Sequence, residues 1–286
     1  MQVLHTLHTM PVIITRPAAQ AQVWVQALQA QGVDAVALPL IDIGPVSNPQ
    51  ALQTLWQRIH GLDSFDTFDA CMCVSSNAVH YFFEQNKPKS TVEYAQAAIK
   101  NIAISVTNKN LRWWATGAGT VRALQDCGIG LPQIDAPGQD AAQWDSEHLW
   151  ARVQHQITPG KKVLILRGED VDTASASRDW LAQQIENAGG KVEIAITYQR
   201  RPPVWSAAEQ AAALQHSQDG SVWVWSSSQA LGHLLQLLPG HVWSHARCVA
   251  THPRIAQAAH EAGFGVVCMS RPGLDEVVRS LKSLYD

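Results

Sequence analysis

Short apolar runs alternate along this chain with longer stretches in which apolar residues recur every three or four positions. Val12-Ile13-Ile14 is the first such run, and its continuous apolar character predicts a strand buried on both faces. From Ala18 to Ala30 the period changes: Ala21, Trp24, Val25 and Leu28 fall on one stripe, while Gln20, Gln22, Gln26 and Gln29 lie largely off it. That spacing predicts an amphipathic helix, and Gly32 predicts its end. Similar stripes follow Asn77 and Gln229. Strands alternating with helices of 10 to 15 residues predict parallel sheets covered on both faces, an α/β architecture.

The chain also repeats itself. PVIITRPAAQAQVWVQALQAQGVDAVALPLIDIGPV, from Pro11 to Val46, has the same plan as KVLILRGEDVDTASASRDWLAQQIENAGGKVEIAITYQRRPPV, from Lys162 onward. Val12 and Val163 are 151 residues apart, and so are Ser75 and Ser226 in the next matching pair, DACMCVSSNAVHYFF and GSVWVWSSSQALGHLL. Thr116 and Thr251, then Pro137 and Pro272, are 135 apart. One 16-residue insertion in the first copy, around Glu84 to Asn110, accounts for the change of spacing.

Parallel α/β sheets bind ligands at the loops that follow strand C-termini. The repeat predicts these loops in pairs: Thr15-Arg16-Pro17 with Arg167-Gly168-Glu169, Ser75-Ser76-Asn77 with Ser226-Ser227-Ser228, and Thr116 to Thr120 with Thr251-His252-Pro253-Arg254. Their hydroxyls and free helix N-terminal amides suit carboxylates or phosphates. The same Ser, Thr and Asn residues are also favoured helix N-caps, so capping and ligand contact both stand.

Composition narrows the class. At roughly 150 residues per domain, 286 residues suggest two domains. A net charge of −3 with 16% charged and 46% hydrophobic residues excludes a disordered chain and a strongly basic nucleic-acid binder. The stretch from Ser221 to Ala246 lacks Asp, Glu, Lys and Arg, but its serines, histidines and Pro239-Gly240 argue against a membrane span. The N-terminus does not read as a signal peptide, so the expected location is cytoplasmic; Met10, directly before the first strand, is an alternative start. Cys71, Cys73, Cys127, Cys248 and Cys268 suit reduced core thiols, and no further ligands stand at metal-site spacing. Gly117-x-Gly119 has Arg122 where the third glycine of a dinucleotide fingerprint falls. There is no G-x-S-x-G, P-loop or H-E-x-x-H. The expected site therefore binds and orients an anionic substrate instead of activating a nucleophile.

The ordered set VIITRP, CVSSNAV, ATGAGTVRAL, LILRGE, ITYQRR and VATHPRIAQAAHEAGF, spread from Val12 to about Leu281, resembles the uroporphyrinogen-III synthase family. The resemblance implies two flavodoxin-like parallel-sheet domains joined by a two-stranded linker. One would be discontinuous, 1–42 plus 203–286, and the other continuous, 49–196, with 43–48 and 197–202 as linkers. It further implies a cyclising lyase of haem biosynthesis that closes the linear tetrapyrrole hydroxymethylbilane to uroporphyrinogen III, with loss of water and inversion of ring D. No cofactor and no metal are implied. The preceding enzyme, porphobilinogen deaminase, is the protein partner the family suggests, and a monomer is the default.

For roles, the resemblance makes Tyr198, in ITYQRR, the candidate that hydrogen-bonds and protonates the departing hydroxyl; the other reading is a tyrosine packed in the linker strand. Thr15, Arg16, Ser75, Ser76, Asn77, Gly117, Thr120, Arg167, Gly168, Ser226, Ser227, Thr251, His252 and Arg254 are the candidate substrate-binding residues. Where the family often carries Gly-Pro-Thr-type loops, this chain has Gly117 to Thr120 and His252-Pro253-Arg254. The alternative function is a non-catalytic two-domain module that binds or senses a small molecule.

Overall fold

A computed structural model describes residues 10–59, 66–86, 110–138, 145–170 and 180–285. Most of the insertion between Glu84 and Asn110, and the residues before Met10, lie outside the described residues.

The first part of the chain holds β1 (Val12–Ile14), α1 (Ala18–Gln29), β2 (Ala35–Ala37), β3 (Asp42–Pro45), α2 (Gln50–Ile59), β4 (Ala70–Cys73) and α3 (Ser76–Glu84). Then come β5 (Arg112–Ala115), α4 (Ala118–Asp126), β6 (Ile134–Asp135), α5 (Ser146–Val153), β7 (Lys162–Asp170), α6 (Trp180–Asn187) and β8 (Lys191–Arg201). The last third carries α7 (Ala207–His216), β9 (Val222–Trp225), α8 (Ser228–Leu237), β10 (Arg247–Ala250), α9 (Pro253–Glu261), β11 (Val266–Met269) and α10 (Leu274–Tyr285).

Internal contacts divide the chain into two units, one built from the chain up to Ile43 and from Arg201 onward, the other from Gly44–Arg200. The first unit contains a sheet in the order β11-β10-β9-β1-β2, all parallel. The second sheet runs β3-β8-β7-β4-β5-β6, parallel from β8 to β6. Leaving β3 aside and numbering strands by their place in the repeat, both sheets have the order second-first-third-fourth-fifth, the flavodoxin-like arrangement; in chain order the second is its circular permutation, β8-β7-β4-β5-β6. Each takes its first two strands from one copy of the repeat and its last three from the other. Equivalent pieces are exchanged because the chain leaves each copy at the same point.

Period-two alternation decides which face each strand residue joins. In β9, Val222 and Val224 pack with Val12, Ile14, Leu28 and Leu281 on one face. Trp223 and Trp225 go to the other with Ile13, Leu234, Trp243 and Phe264, where the Trp223 and Trp225 rings stack at 5.7 Å. In the second unit Ala70 and Met72 face Val163, Ile165, Leu149 and Ile185. Cys71 and Cys73 take the opposite face, fully buried. Burial, then the neighbouring Cys73 thiol, push the Cys71 thiol up, so it stays protonated and packs as a small hydrophobe. All five cysteines are free.

Helix α1 buries Ala21, Val25 and Leu28. Trp24, expected on the same stripe, is partly buried, and the Arg16 guanidinium covers its ring 4.1 Å from the centroid. Gly32 ends the turn after the helix with φ +78°. Among the described residues no helix is long and apolar enough to cross a membrane.

Helix α7 starts with a capping box: the Ser206 hydroxyl accepts from the Glu209 amide, and the Glu209 carboxylate accepts from the Ser206 amide at 2.7 Å. The bonds from the Ser206 hydroxyl and amide hold Glu209 below the usual carboxylate range. Ser206→Ala is expected to destabilise the protein by about 1 kcal/mol in urea unfolding. Because the folded value of Glu209 is depressed, its contribution is complete above the unfolded carboxylate range and is lost as pH falls through the folded value.

Candidate functional site

Most of the polar side chains of interest stand where the strands end, but Arg167, Gly168 and Glu169, expected in a loop, lie within β7, which runs on to Asp170 paired with β8, and Tyr198 lies within β8. In the Gly44–Arg200 unit, β4 ends at Cys73 and Ser75 caps α3, its Oγ accepting from the Ala78 amide at 3.1 Å. Two strands away, the β7–β8 ladder slips by one residue. Arg167 pairs with Ile196 and Gly168 with Tyr198, so Thr197 is the extra residue, and its hydroxyl donates to the Arg167 carbonyl at 3.2 Å. A bulge of this kind re-aims the next side chain. Here it swings Tyr198 across Gly168: a Cβ at that glycine would lie 2.2 Å from the Tyr198 Cζ. Only a residue without a side chain leaves room for the ring.

Tyr198 is 4% exposed, and its Oη lies 3.3 Å from the Ser75 Oγ. The Ser75 oxygen already takes the Ala78 amide proton, so its own proton is free to point at Tyr198. The second lone pair of the Ser75 oxygen can equally accept the phenol proton, so either hydroxyl can donate in this pair. On its other side the Tyr198 ring stacks on Tyr81 of α3, centroids 5.8 Å apart. Tyr81 is not among the residues the sequence singles out. It stands four residues after Asn77, on the helix the Ser75 loop starts, which is the one signal that could have found it.

Beside them, Gly117 opens α4 with no side-chain cap, and Thr120 is buried in its first turn. A Cβ on Gly119 would meet nothing within 4 Å, so no close backbone approach calls for that glycine. Arg122 lies within α4 where a dinucleotide fingerprint needs its third glycine.

In the other unit, the residues the sequence pairs with these stand at the ends of β1, β9 and β10. The Thr15 hydroxyl donates to the Val224 carbonyl at 2.7 Å and the Thr251 hydroxyl to the Trp225 carbonyl at 3.2 Å. Both threonines thus staple neighbouring strands, as Thr116 does with the Val74 carbonyl at 3.2 Å. Ser227 caps α8 by accepting from the Gln229 amide at 3.2 Å, with Ser226 just before it. His252 caps α9, its Nδ1 accepting from the Arg254 amide at 3.1 Å, which puts the ring proton of a neutral His252 on Nε2. Ser76 and Asn77 begin α3 in the first-described unit.

Two arginines share an anomaly. Arg16 Nε and Arg167 Nε are buried and have no hydrogen-bond acceptor among the described residues. Arg16 reaches only Gln20 Oε1, at 3.5 Å, and burial lowers its pKa from the ordinary arginine value. The two are 151 residues apart, the repeat spacing. Buried charged donors without acceptors are costly, and each copy carries one at the same place in the repeat. Among the described residues no group of three or more His, Cys, Asp or Glu is placed to hold a metal ion.

The uroporphyrinogen-III synthase family model (HEM4, HemD) matches residues 22–279. The chain belongs to the uroporphyrinogen-III synthase family. A uroporphyrinogen-III synthase of Chlorobaculum parvum (strain DSM 263 / NCIMB 8327) is 24% identical over 192 residues, 67% of this chain and 64% of that protein. The aligned part of this chain therefore spans about 64% of that relative's length. The crystal structure of a uroporphyrinogen-III synthetase from Helicobacter pylori 26695 superposes with a TM-score of 0.56 at 14% identity, covering 96% of this chain and 100% of that one, a likeness of fold. Family membership accounts for the paired α/β sheets.

Gly168→Ala is expected to drive the Tyr198 ring off Ser75 and to cost about 1–3 kcal/mol of stability, as overpacking does. Thermal unfolding checks the cost. An unchanged Tm together with an unmoved Tyr198 ring resonance would contradict the contact.

Proposed function

We propose that this protein is a uroporphyrinogen-III synthase, a lyase that closes hydroxymethylbilane to uroporphyrinogen III with loss of water and inversion of the terminal ring. Family membership supports the reaction class. The observation that carries the assignment of roles is the buried Tyr198 phenol, held over Gly168 and 3.3 Å from Ser75 at the C-terminal edge of its sheet.

The chemistry asks little of a nucleophile. The nitrogen of the pyrrole whose α-carbon bears the hydroxymethyl group pushes its electron pair through the ring toward that CH2, the C–O bond breaks, and Tyr198 Oη gives its proton so that the hydroxyl leaves as water. The Ser75 hydroxyl stabilises the phenolate by donating to it. The azafulvene carbon so formed is attacked by the substituted carbon of the terminal ring, giving a spiro intermediate. Fragmentation and reclosure place that ring inverted, and the proton released on rearomatisation returns to Tyr198. What the protein adds is orientation of a flexible polycarboxylate, since the unassisted bilane closes without inversion.

Carboxylate recognition falls to the loops. Arg16 and Arg167 supply buried donors that still need an acceptor, and Ser76, Asn77, Gly117, Thr120, Ser226, Ser227, His252 and Arg254 surround helix N-termini whose amides suit anions. Thr15 and Thr251, with their hydroxyl protons bonded to strand carbonyls, contribute through backbone amides and loop shape. The domain assignment that goes with this reading is 1–42 plus 203–286 and 49–196, with 43–48 and 197–202 as linkers. Porphobilinogen deaminase, which makes the bilane, is the enzyme from which this one receives it, in the cytoplasm and as a monomer.

The test is product-isomer analysis: hydroxymethylbilane generated in situ with porphobilinogen deaminase, this protein added, and the oxidised porphyrins separated by isomer. Predominantly type III is expected. Only type I from a folded preparation would overturn the assignment and leave a binding or sensing module. Tyr198→Phe should lower kcat by about 10²-fold or more. Arg16→Gln and Arg167→Gln should each raise KM about tenfold or more while leaving the isomer ratio unchanged.

A further inference from the structure

The strands of the Gly44–Arg200 unit also have an N-terminal edge, far along the chain direction from the loops above. A cavity of about 720 Å³ opens there, beside Asp69, Arg112, Asp135, Arg152, His155 and Lys161. Its acids are already engaged. Asp135 accepts from Arg112 Nε and Nη2 at 2.8 and 2.7 Å and from Gln156 Nε2 at 3.1 Å. Asp69 takes Lys161 Nζ at 2.7 Å on one oxygen and the Lys162 amide at 2.8 Å on the other. Trp114 Nε1 donates to Gln156 Oε1 at 3.2 Å, so the wall from β5 to the turn after α5 is one connected, fixed network.

Its cations are not all used. Arg152, in the last turn of α5, and His155, in the single 3-10 turn that follows, stand three residues apart and line the cavity. Neither makes a hydrogen bond or ion pair with another described side chain. With Arg112, Lys161 and Arg152 set against Asp69 and Asp135, the lining carries one excess positive charge before His155 is counted. Both side chains are exposed to solvent along the cavity. In a concavity with a rigid polar wall, their charge is focused on whatever enters.

The fold itself does not call for this arrangement. At the equivalent positions of the other repeat copy, Asp69 is replaced by Gly220 and Asp135 by Ser270, while Arg112 corresponds to Arg247. The other unit closes the same sheet edge without the two carboxylates, so strand pairing alone does not explain them.

We propose that this cavity is a second binding site, for a small organic anion bearing a carboxylate or phosphate group, with Arg152 and His155 as its anion-contacting residues. Arg112 and Asp135 are positioning residues that hold the Gln156 turn. The inference stands apart from the reaction assigned above, since no residue of the cavity belongs to the loops at the opposite edge.

Citrate and inorganic phosphate serve as probes, in thermal unfolding and calorimetric titration against sodium chloride of equal ionic strength. At least one of the two is expected to raise Tm saturably and to bind the wild-type protein with one-site stoichiometry at this location; citrate alone marks a carboxylate site and phosphate alone a phosphate site. Arg152→Gln combined with His155→Gln should weaken that binding tenfold or more, with far-UV circular dichroism and the porphyrin isomer ratio unchanged. Arg279→Gln, which removes an exposed arginine of the other unit, should leave it intact. The proposal is overturned if sodium chloride gives the same shift, if neither probe binds saturably, or if the double variant binds as well as the wild type.

Discussion

A parallel strand covered by helices on both faces has no side that can hold polar chemistry. Val163 to Leu166 and Val222 to Trp225 are buried at every position, so any donor, acceptor or charge has to wait for the strand to end. Everything functional in this molecule follows from that constraint. The strand ends bring Ser75, Ser226 and Thr251 to polar edges, and the helices that start there add amides that helix geometry leaves without partners. The opposite edge receives the ion pairs of Arg112 and Lys161 for the same reason.

Within that frame one local irregularity makes the edge of the Gly44–Arg200 unit specific. Regular pairing of β7 with β8 would keep residue 198 in step with its neighbours. The extra residue, Thr197, breaks the step and lays the Tyr198 ring on Gly168. The ring is then held by three contacts of different kinds: the absent Cβ below it, the Tyr81 ring stacked on it, and the Ser75 hydroxyl at its tip. These contacts fix the orientation of the phenol.

How much of this is legible in the sequence depends on how local the cause is. Helix α1 and its Gly32 stop are written in spacing alone and occur where the period places them. The exchange of repeat halves between the sheets comes from the family resemblance, since the repeat by itself reads as two successive domains. The bulge is not, because a register slip belongs to a pair of strands thirty residues apart and has no pattern of its own. Trp24 lies on the stripe and packs against the core as the period places it, but its cover by the Arg16 guanidinium is a tertiary contact that periodicity does not show. The loop threonines show the same limit: Thr15 and Thr251 have the right chemistry for a ligand, but a neighbouring strand carbonyl is nearer and claims their protons.

Arg16 and Arg167 bring the electrostatic argument to its sharpest point. A guanidinium is cheap to bury when its donors are met and expensive when they are not, and these two keep an unmet Nε in equivalent places. A stability-driven sequence would replace either with a residue of similar volume and no charge. Arg16 offsets part of that cost by stacking on the Trp24 ring, whereas the Nε of Arg167 keeps no hydrogen-bond partner among the described residues.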